Sequence, residues 1–504
     1  MQDVSSGRKR RAGSFLLLLA AVAICLAVLA INRGPLYYFD TASYFKQGNA
    51  ALSLILPESV QETDPSTAGQ GGQKITTAQD DTTDGSRSMV YALLVAAFWR
   101  IGALGGIGLV NLAAVFASVW LVTRVACRVV PLGRSSLQLT AIPLLVAGAT
   151  SLPFYIAYVM PDIFAPVMII LIAGVVAMGR DMRVSELIAS FALAALAVVL
   201  HPSHLGIAVL MLPVVILAAL LRAGHGRWLA VGFTACLVVV AIAERKAYEF
   251  AAVTVTSKDV IYTPYMTARL IVDGPGLAYL DEHCARPDFR ASLATCALHE
   301  ALSRSDDPYR LTATHIIFER SARLGSFLLM PAADQKAVAG EQREFFFRVL
   351  ADRPFGTVYA LMENAGVQMM MNSVGMTIPN ASVIRNTKTL SGLPEGQLGV
   401  LDGVLHRDQR WLGVADTIHS AIYLVSFVIV AGLLIWPGRI APSLKVFVLF
   451  LLIGIALNAL VCGGVSQPAD RYGARVMWLV PFSAAFLLLC LPRRRPQAIA
   501  GARS

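Results

Sequence analysis

The feature that most constrains this chain is a series of apolar runs long enough to cross a lipid bilayer. The first run, FLLLLAAVAICLAVLAI at 15–31, contains no charged residue, and about 20 apolar residues let a helix span the hydrocarbon core. Of the whole chain, 56% of residues are hydrophobic and only 15% are charged. The alternating segments of about ten residues that are typical of membrane β-barrels do not stand out. The sequence therefore predicts an all-α polytopic membrane protein.

Hydropathy and the distribution of arginine together predict the topology. Arginine occurs in every connection that is cytoplasmic if the amino terminus is cytoplasmic, whereas the short outer turns 153–155 and 201–203 contain no lysine or arginine. This is the bias that the positive-inside rule describes. We expect both termini to be cytoplasmic, in the inner (plasma) membrane of a bacterium. The ten predicted spans are 14–31, 103–126, 136–152, 156–178, 185–200, 204–222, 228–245, 416–436, 443–461 and 473–491.

This topology divides the chain into three parts. Residues 1–245 form an amino-terminal membrane module of seven spans, which includes an outer loop at 32–102. Residues 246–415 form an extracytoplasmic and mostly helical domain, and 416–504 form a carboxy-terminal membrane module. Within the outer loop, the apolar stretch SRSMVYALLVAAFWRIGAL is short for a span, and a helix lying along the membrane surface is favoured over an extra crossing.

The net charge of +10 does not indicate a nucleic-acid partner. Basic clusters at 8–11 and 493–495 flank the first and last apolar runs, where such clusters set topology and contact anionic membrane lipids. We therefore expect membrane lipids as partners and no nucleic acid.

Two of the seven cysteines, Cys284 and Cys296, fall in the predicted outer domain. In an oxidising compartment they could form a disulfide; two free thiols are the alternative. His283 and His299 stand nearby, so a Cys/His metal site is a third possibility, although its spacing is unusual for zinc.

Several ionisable residues fall near the outer ends of the predicted spans, and such residues often mark function. Each has a structural alternative: the acid after Pro161 could cap a helix, the histidines could be interfacial turn residues, and the arginines could bind lipid headgroups. Two arginines four residues apart share a helix face and suit a phosphate or pyrophosphate. These residues are Asp40, Arg87, Arg100, Asp162, His201, His204, Asp470, Arg471 and Arg475.

The combination of a carboxylate, imidazoles and guanidiniums suits transfer of a group from a lipid-linked phosphate to an acceptor hydroxyl. The carboxylate would remove the hydroxyl proton, and the cations would stabilise the negative charge on the departing lipid phosphate.

In the order of these parts, the chain resembles the GT-C superfamily of polytopic glycosyltransferases. The matching stretches are FDTASYF after the first span, SRSMVYALLVAAF, YVMPDIF and ADRYGARVMWLVP at the last span. The resemblance implies that Asp40 is the first-loop acid, which serves as base or metal ligand. It also implies surface-helix roles for Arg87 and Tyr91, and a lipid-phosphate role for Arg471 and Tyr472. FDTASYF holds one acid and not a pair, so no cofactor is certain and a divalent metal remains possible; Asp162 or the acidic run QDDTTDGS could supply a second acid.

The expected function is therefore transfer of a sugar from a polyprenyl-phosphate-linked donor to a glycan, lipid or protein acceptor at the outer membrane face. Asp40 is the candidate base, and Arg471 and Arg475 are the candidates for binding the lipid phosphate. The alternatives are a transporter or flippase of lipid-linked saccharides, a polysaccharide polymerase or ligase, and a non-enzymatic scaffold. Transporters often show internal repeats, and no such repeat is evident.

Overall fold

The computed structural model describes residues 2–56, 82–221, 227–304, 312–319, 326–385 and 403–492. Within these ranges the chain is almost entirely helical, which confirms the predicted all-α polytopic class. Two three-residue strands, Thr82–Asp84 and Asp259–Ile261, pair in parallel. The polar middle of the first outer loop and the carboxy-terminal arginines lie outside the described residues.

The helices fall into three groups along the chain. The first group is Gln2–Ile31, Phe39–Ile55, Met89–Arg100, Gly106–Val129, Ser136–Ala147, Leu152–Ala157, Phe164–Met178, Val184–Val199, Pro202–Leu221 and Leu229–Thr256. The second is Tyr265–Val272, Pro275–His283, Pro287–Ser292, Thr295–Ser303, Ala313–Phe318, Ala332–Asp352 and Pro354–Met370. The third is Trp411–Ile435, Pro442–Ala459, Asp470–Met477 and Leu479–Leu489.

Short turns of other helix types join several of these elements. The 3₁₀ turns among the described residues are Pro161–Ile163, Gly179–Asp181, Phe327–Leu329 and Gly375–Thr377, and a π-helix runs over Leu460–Ser466.

Seven helical segments of the described chain are long and apolar enough to cross a membrane. They coincide with seven of the ten predicted spans, and helices also occupy the other three predicted positions. Ser136–Ala147 and Val184–Val199 are shorter than a bilayer requires. Leu229–Thr256 is long enough but contains Glu244, Arg245 and Lys246 in sequence. The seven spanning segments are Ala12–Ile31, Gly106–Val129, Pro161–Asp181, Pro202–Leu221, Trp411–Ile435, Pro442–Ser466 and Asp470–Leu489.

The helix Phe164–Met178 lies at the centre of the membrane part. Every residue from 161 to 176 is buried, as expected for a helix that is hydrophobic on all sides. It packs against Gly106–Val129, Val184–Val199 and Pro442–Ala459. This packing fixes the buried turn at its amino-terminal end, which carries Asp162.

The predicted surface helix is present as Met89–Arg100. It packs along Phe39–Ile55, and Gly48 allows the close approach, since a Cβ there would lie 1.9 Å from the carbonyl oxygen of Ala92. Asp40 lies in Phe39–Ile55, and Arg87 lies just before Met89–Arg100. The packing of the two helices therefore brings the side chains of Asp40 and Arg87 together.

The predicted outer domain contains a hydrophobic core of its own, built from side chains between Ala268 and Val349. A disulfide joins Cys284 to Cys296 at the edge of this core. Leu229–Thr256 runs past the predicted boundary at residue 245 without a break. The division of the chain into three parts stays a prediction.

Candidate functional site

The centre of the site is the carboxylate of Asp40, which two arginines share. Asp40 lies in the first turn of helix Phe39–Ile55, where the helix dipole favours an acid. Its Oδ1 accepts a hydrogen bond from Arg87 Nη2 at 2.7 Å, and its Oδ2 accepts one from Arg471 Nη1 at 3.2 Å. The Asp40 side chain is 28% exposed, whereas that of Arg471 is 4% exposed. The carboxylate is thus the part of this group that solvent or a ligand reaches.

Electrostatics keep Asp40 ionised. Burial alone would raise its pKa, but the positive charges of Arg87 and Arg471 outweigh burial and lower the pKa to about 2. Arg87 responds in the opposite sense: burial would lower its pKa, and the charges of Asp40 and Asp84 raise it. At neutral pH the group is a carboxylate between two guanidiniums.

Asp84 is a partner of this cluster that the sequence reading did not single out. Its Oδ2 accepts a hydrogen bond from Arg87 Nη1 at 2.6 Å, and its side chain is 17% exposed. Asp84 belongs to the acidic run QDDTTDGS, which the sequence offers as a source of a second acid; its spacing of three residues from Arg87 is the signal that could have singled it out. The acids at 80 and 81 lie outside the described residues.

A second and fully enclosed ion pair lies behind the first. Asp162 and Arg475 are both 0% exposed, and Arg475 Nη1 donates to Asp162 Oδ1 at 3.2 Å. Arg475 also donates to Asn458 Oδ1 and, through Nη2, to Ser203 Oγ at 3.0 Å. Because these contacts enclose the guanidinium, Arg475 differs from Arg471: it holds the protein together behind the site and does not face the exposed carboxylate.

Arg471 links the two ion pairs. In addition to the hydrogen bond that its Nη1 donates to Asp40, its Nε lies 3.8 Å from Asp162 Oδ1. Its guanidinium lies over the rings of Tyr38 and Tyr472, at 4.6 Å and 4.8 Å from their centroids. Aromatic faces attract a cation in this geometry, so these rings fix where the charge of Arg471 sits.

Tyr91 lies behind Asp40 and not on the open side of the site. Its ring is fully buried and packs edge-on against Tyr44 at 5.0 Å. Its hydroxyl has no hydrogen-bond partner within the described structure. The resemblance implied a surface-helix role for this residue, and the structure places it in the contact between the surface helix and Phe39–Ile55.

The two histidines lie together at the start of helix Pro202–Leu221, with ring centroids 5.4 Å apart. His204 is 0% exposed and its Nδ1 donates to the carbonyl of Ala197 at 2.7 Å. His201 is half-buried, and burial with the positive charges of Arg475 and Arg471 holds its pKa well below its usual range. A small cavity lined by Arg87, His201 and Arg245 lies on this side of the site.

Among the described residues, the carboxylates of the site are bound by arginines and are not arranged around a divalent metal. Asp40, Asp84 and Asp162 each bind a guanidinium, which takes up the charge that a cation would need. No group of three or more histidine, cysteine or acidic residues in the described ranges is arranged to hold a metal ion. The Cys/His alternative is wrong, because both thiols are oxidised to the disulfide; His299 pairs with Asp281 and His283 stacks on Tyr279.

The fold defines an integral membrane protein of the polytopic helical class. No family model and no curated protein sequence matches the chain. Among solved structures, the chain is similar to ArnT from Cupriavidus metallidurans in the apo state, with 11% sequence identity and a TM-score of 0.32, over 95% of this chain and 78% of that one. At this TM-score the likeness carries no functional argument, which rests below on the site itself.

Proposed function

We propose that this protein is a membrane glycosyltransferase that moves a sugar from a polyprenyl-phosphate-linked donor to an acceptor hydroxyl at the outer face of the membrane. The observation that supports this most is the partly exposed cluster in which Asp40 stands between Arg87 and Arg471. In this cluster a carboxylate, the proposed base, and two guanidiniums, the proposed phosphate-binding groups, are hydrogen-bonded to each other. The acceptor is a glycan, a lipid or a protein.

In the proposed reaction, the acceptor oxygen attacks the anomeric carbon of the donor sugar and its proton passes to Asp40. The bond between that carbon and the phosphate oxygen breaks, and the lipid phosphate leaves with the bonding electron pair. Guanidiniums stabilise the departing lipid phosphate, which gains a second negative charge, more strongly than the singly charged phosphodiester of the donor. Of the arginines, Arg87 and Arg471 border the exposed carboxylate and are assigned this role.

Asp40 in its resting ion pairs is a weak base, since the two arginines lower its pKa to about 2. A bound donor phosphate would compete for the same guanidiniums and draw part of their charge away from the carboxylate. Loss of that charge raises the pKa of an acid, so the donor itself would make Asp40 a stronger base. The proposal therefore predicts that the donor binds before proton transfer from the acceptor.

Arg475 is assigned a positioning role. It touches no exposed group of the site, but it fixes Asp162, which in turn lies 3.8 Å from the Nε of Arg471. Its contribution to phosphate binding would act through Arg471. Both termini are proposed to lie in the cytoplasm of a bacterium, with the site on the opposite side of the inner membrane.

The test is transfer of a labelled sugar from a panel of polyprenyl-phosphate donors to candidate acceptors by the purified protein. Asp40→Asn is expected to reduce transfer by about 10²–10⁴-fold, the usual contribution of a general base. Asp281→Asn is the matched control, because Asp281 is 61% exposed and pairs with His299 among the described residues. Full activity of Asp40→Asn would refute the base assignment. Movement of lipid-linked sugar across proteoliposomes without transfer would favour the transporter alternative.

Topology has its own test. A cysteine placed at Gln70 in the first outer loop is expected to react with a membrane-impermeant thiol reagent added outside cells. Reaction only after the inner face is opened would place the site in the cytoplasm and overturn the proposed orientation.

A further inference from the structure

The helix Pro354–Met370 exposes apolar side chains and buries polar ones. One of its faces carries large apolar side chains that are between 48% and 90% exposed. Their spacing of three, four and seven residues puts them in one stripe along the whole helix. They are Phe355, Val358, Tyr359, Met362, Met369 and Met370.

The opposite face, which packs on the protein, is polar. Gln368 is 0% exposed; its side chain donates to the carbonyl of Ala469 and accepts from the amide of the same residue, both at 2.9 Å. Asn364 donates to Asp273 Oδ2 at 2.8 Å, and Thr357 is fully buried. A helix on a water-exposed surface normally buries its apolar face and exposes its polar one.

This helix is packed directly on the end of a membrane span. Gly463 and Gly464 belong to the spanning segment Pro442–Ser466. A Cβ at Gly463 would lie 2.5 Å from the carbonyl oxygen of Asn364, and one at Gly464 would lie 3.0 Å from a methyl group of Leu361. The backbones therefore approach as closely as glycine allows, and the helix that carries the apolar stripe is packed on a membrane span.

We propose that the lipid bilayer covers the apolar face of helix Pro354–Met370, which lies in the interface at the outer leaflet. Its 17 residues measure about 25 Å at the usual helical rise. Glu363 is its one Asp, Glu, Lys or Arg residue and lies at the edge of the stripe, where a charged group can reach the headgroups. The helix packs directly on the end of a membrane span and turns its most apolar side away from the protein. These two observations favour lipid over a soluble protein partner on that side.

This inference is independent of the proposed enzymatic activity, and it changes the expected organisation of the chain. Residues 354–370 are then assigned to the membrane part of the protein and not to the water-exposed part of the predicted domain 246–415. The inner face of the helix also holds Ala469 through Gln368, two residues before Arg471. Lipid contact would therefore support the segment that presents Arg471 to Asp40.

The test uses single cysteines in the full-length protein, after Cys127 and Cys236, the free cysteines that are not buried, are replaced by alanine. Phe355→Cys and Met362→Cys would be labelled with an environment-sensitive fluorophore in phosphatidylcholine–phosphatidylglycerol vesicles. Glu344→Cys on the neighbouring helix is the control, since Glu344 is 61% exposed but lies outside the stripe. The labelled positions 355, 362 and 344 are exposed side chains, so the substitutions there leave the packed interior unchanged.

The expected result is blue-shifted emission at 355 and 362, with quenching by doxyl-labelled lipids at least twofold stronger than at 344. Iodide in the water phase should quench in the reverse order. Equal iodide access at 355, 362 and 344, with no quenching by doxyl lipids, would overturn the inference. Energy transfer between labelled copies that rises with the protein-to-lipid ratio would also overturn it, in favour of a second copy on this face.

Discussion

Replacing Asp40 by asparagine and Arg87 by glutamine, singly and together, measures the coupling free energy of the ion pair at the centre of the site. The pKa of Asp40 falls from 3.8 to about 2 in the folded protein. At 1.36 kcal/mol per pKa unit, the ionised carboxylate stabilises the fold by about 2 kcal/mol net of burial. Arg87 attracts the Asp40 carboxylate more strongly than Arg471 does. The coupling free energy between Asp40 and Arg87 is therefore expected to be about 1.5–3 kcal/mol, the range for hydrogen bonds to charged groups.

The measurement is a double-mutant cycle on the free energy of unfolding in mixed detergent micelles at pH 7. The pair Glu344 and Arg348 is the matched control, because it is also a hydrogen-bonded acid–arginine pair but its side chains are 61% and 33% exposed. Exposed pairs of this helical spacing couple by about 0.3–0.5 kcal/mol. A coupling between Asp40 and Arg87 no larger than that of the control pair would refute the reasoning.

The same variants give a pH dependence whose sign follows from the lowered pKa. A depressed folded-state pKa stabilises the protein above the unfolded pKa of about 3.9, and this stabilisation is lost as the pH falls toward 2. The difference in unfolding free energy between the wild type and Asp40→Asn should be constant from about pH 8 to pH 5 and shrink below about pH 4. A difference that grows on acidification would contradict the ion-paired state.

Three further outcomes test other parts of the structure. Arg475→Met should destabilise the fold by about 3–5 kcal/mol, because it leaves the buried charge of Asp162 unpaired, and an unfolding midpoint equal to that of the wild type would contradict this. Gly473→Ala should destabilise by at least about 1–3 kcal/mol, since its Cβ would lie 1.8 Å from a backbone oxygen, whereas Gly413→Ala, which meets nothing within 4 Å, should be nearly neutral. Cys284→Ser should abolish the mobility shift between reduced and oxidised protein and cost about 3 kcal/mol; an unchanged shift would show that another bond causes it.

The helical membrane class could be predicted from the sequence because bilayer thickness imposes a length on each apolar run. The predicted spans fall on helices for the same reason. Where helices are short, as in Ser136–Ala147, hydropathy cannot tell a complete crossing from a buried helix, since both are apolar. Helix Pro354–Met370 shows the converse difficulty: its sequence has an apolar period, but the period does not reveal whether protein or lipid lies against the apolar side.

The site was only partly predictable. Asp40 and Arg471 were both candidates, yet their contact joins residues 431 positions apart, and no local pattern encodes such a contact. The two arginines of the last span looked equivalent because they share a helix face. Packing distinguishes them. Arg475 donates hydrogen bonds within a buried polar cluster that includes Asn458, a residue with no sequence signal. Arg471 instead reaches the partly exposed carboxylate of Asp40.

The π-helix Leu460–Ser466 gives the site a dependence on chain length as well as composition. A π-helical turn contains an additional residue compared with an α-helical turn, and such turns are frequent near functional sites. Deleting one residue there would displace Gly463 or Gly464 from its close contact with Asn364 or Leu361, where a residue with a Cβ does not fit. Helix Pro354–Met370 would then lose its seat on the span, and with it the position of Gln368, which holds Ala469 two residues before Arg471. A deletion in this turn would thus disturb the contact between Arg471 and Asp40 without changing any residue of the cluster.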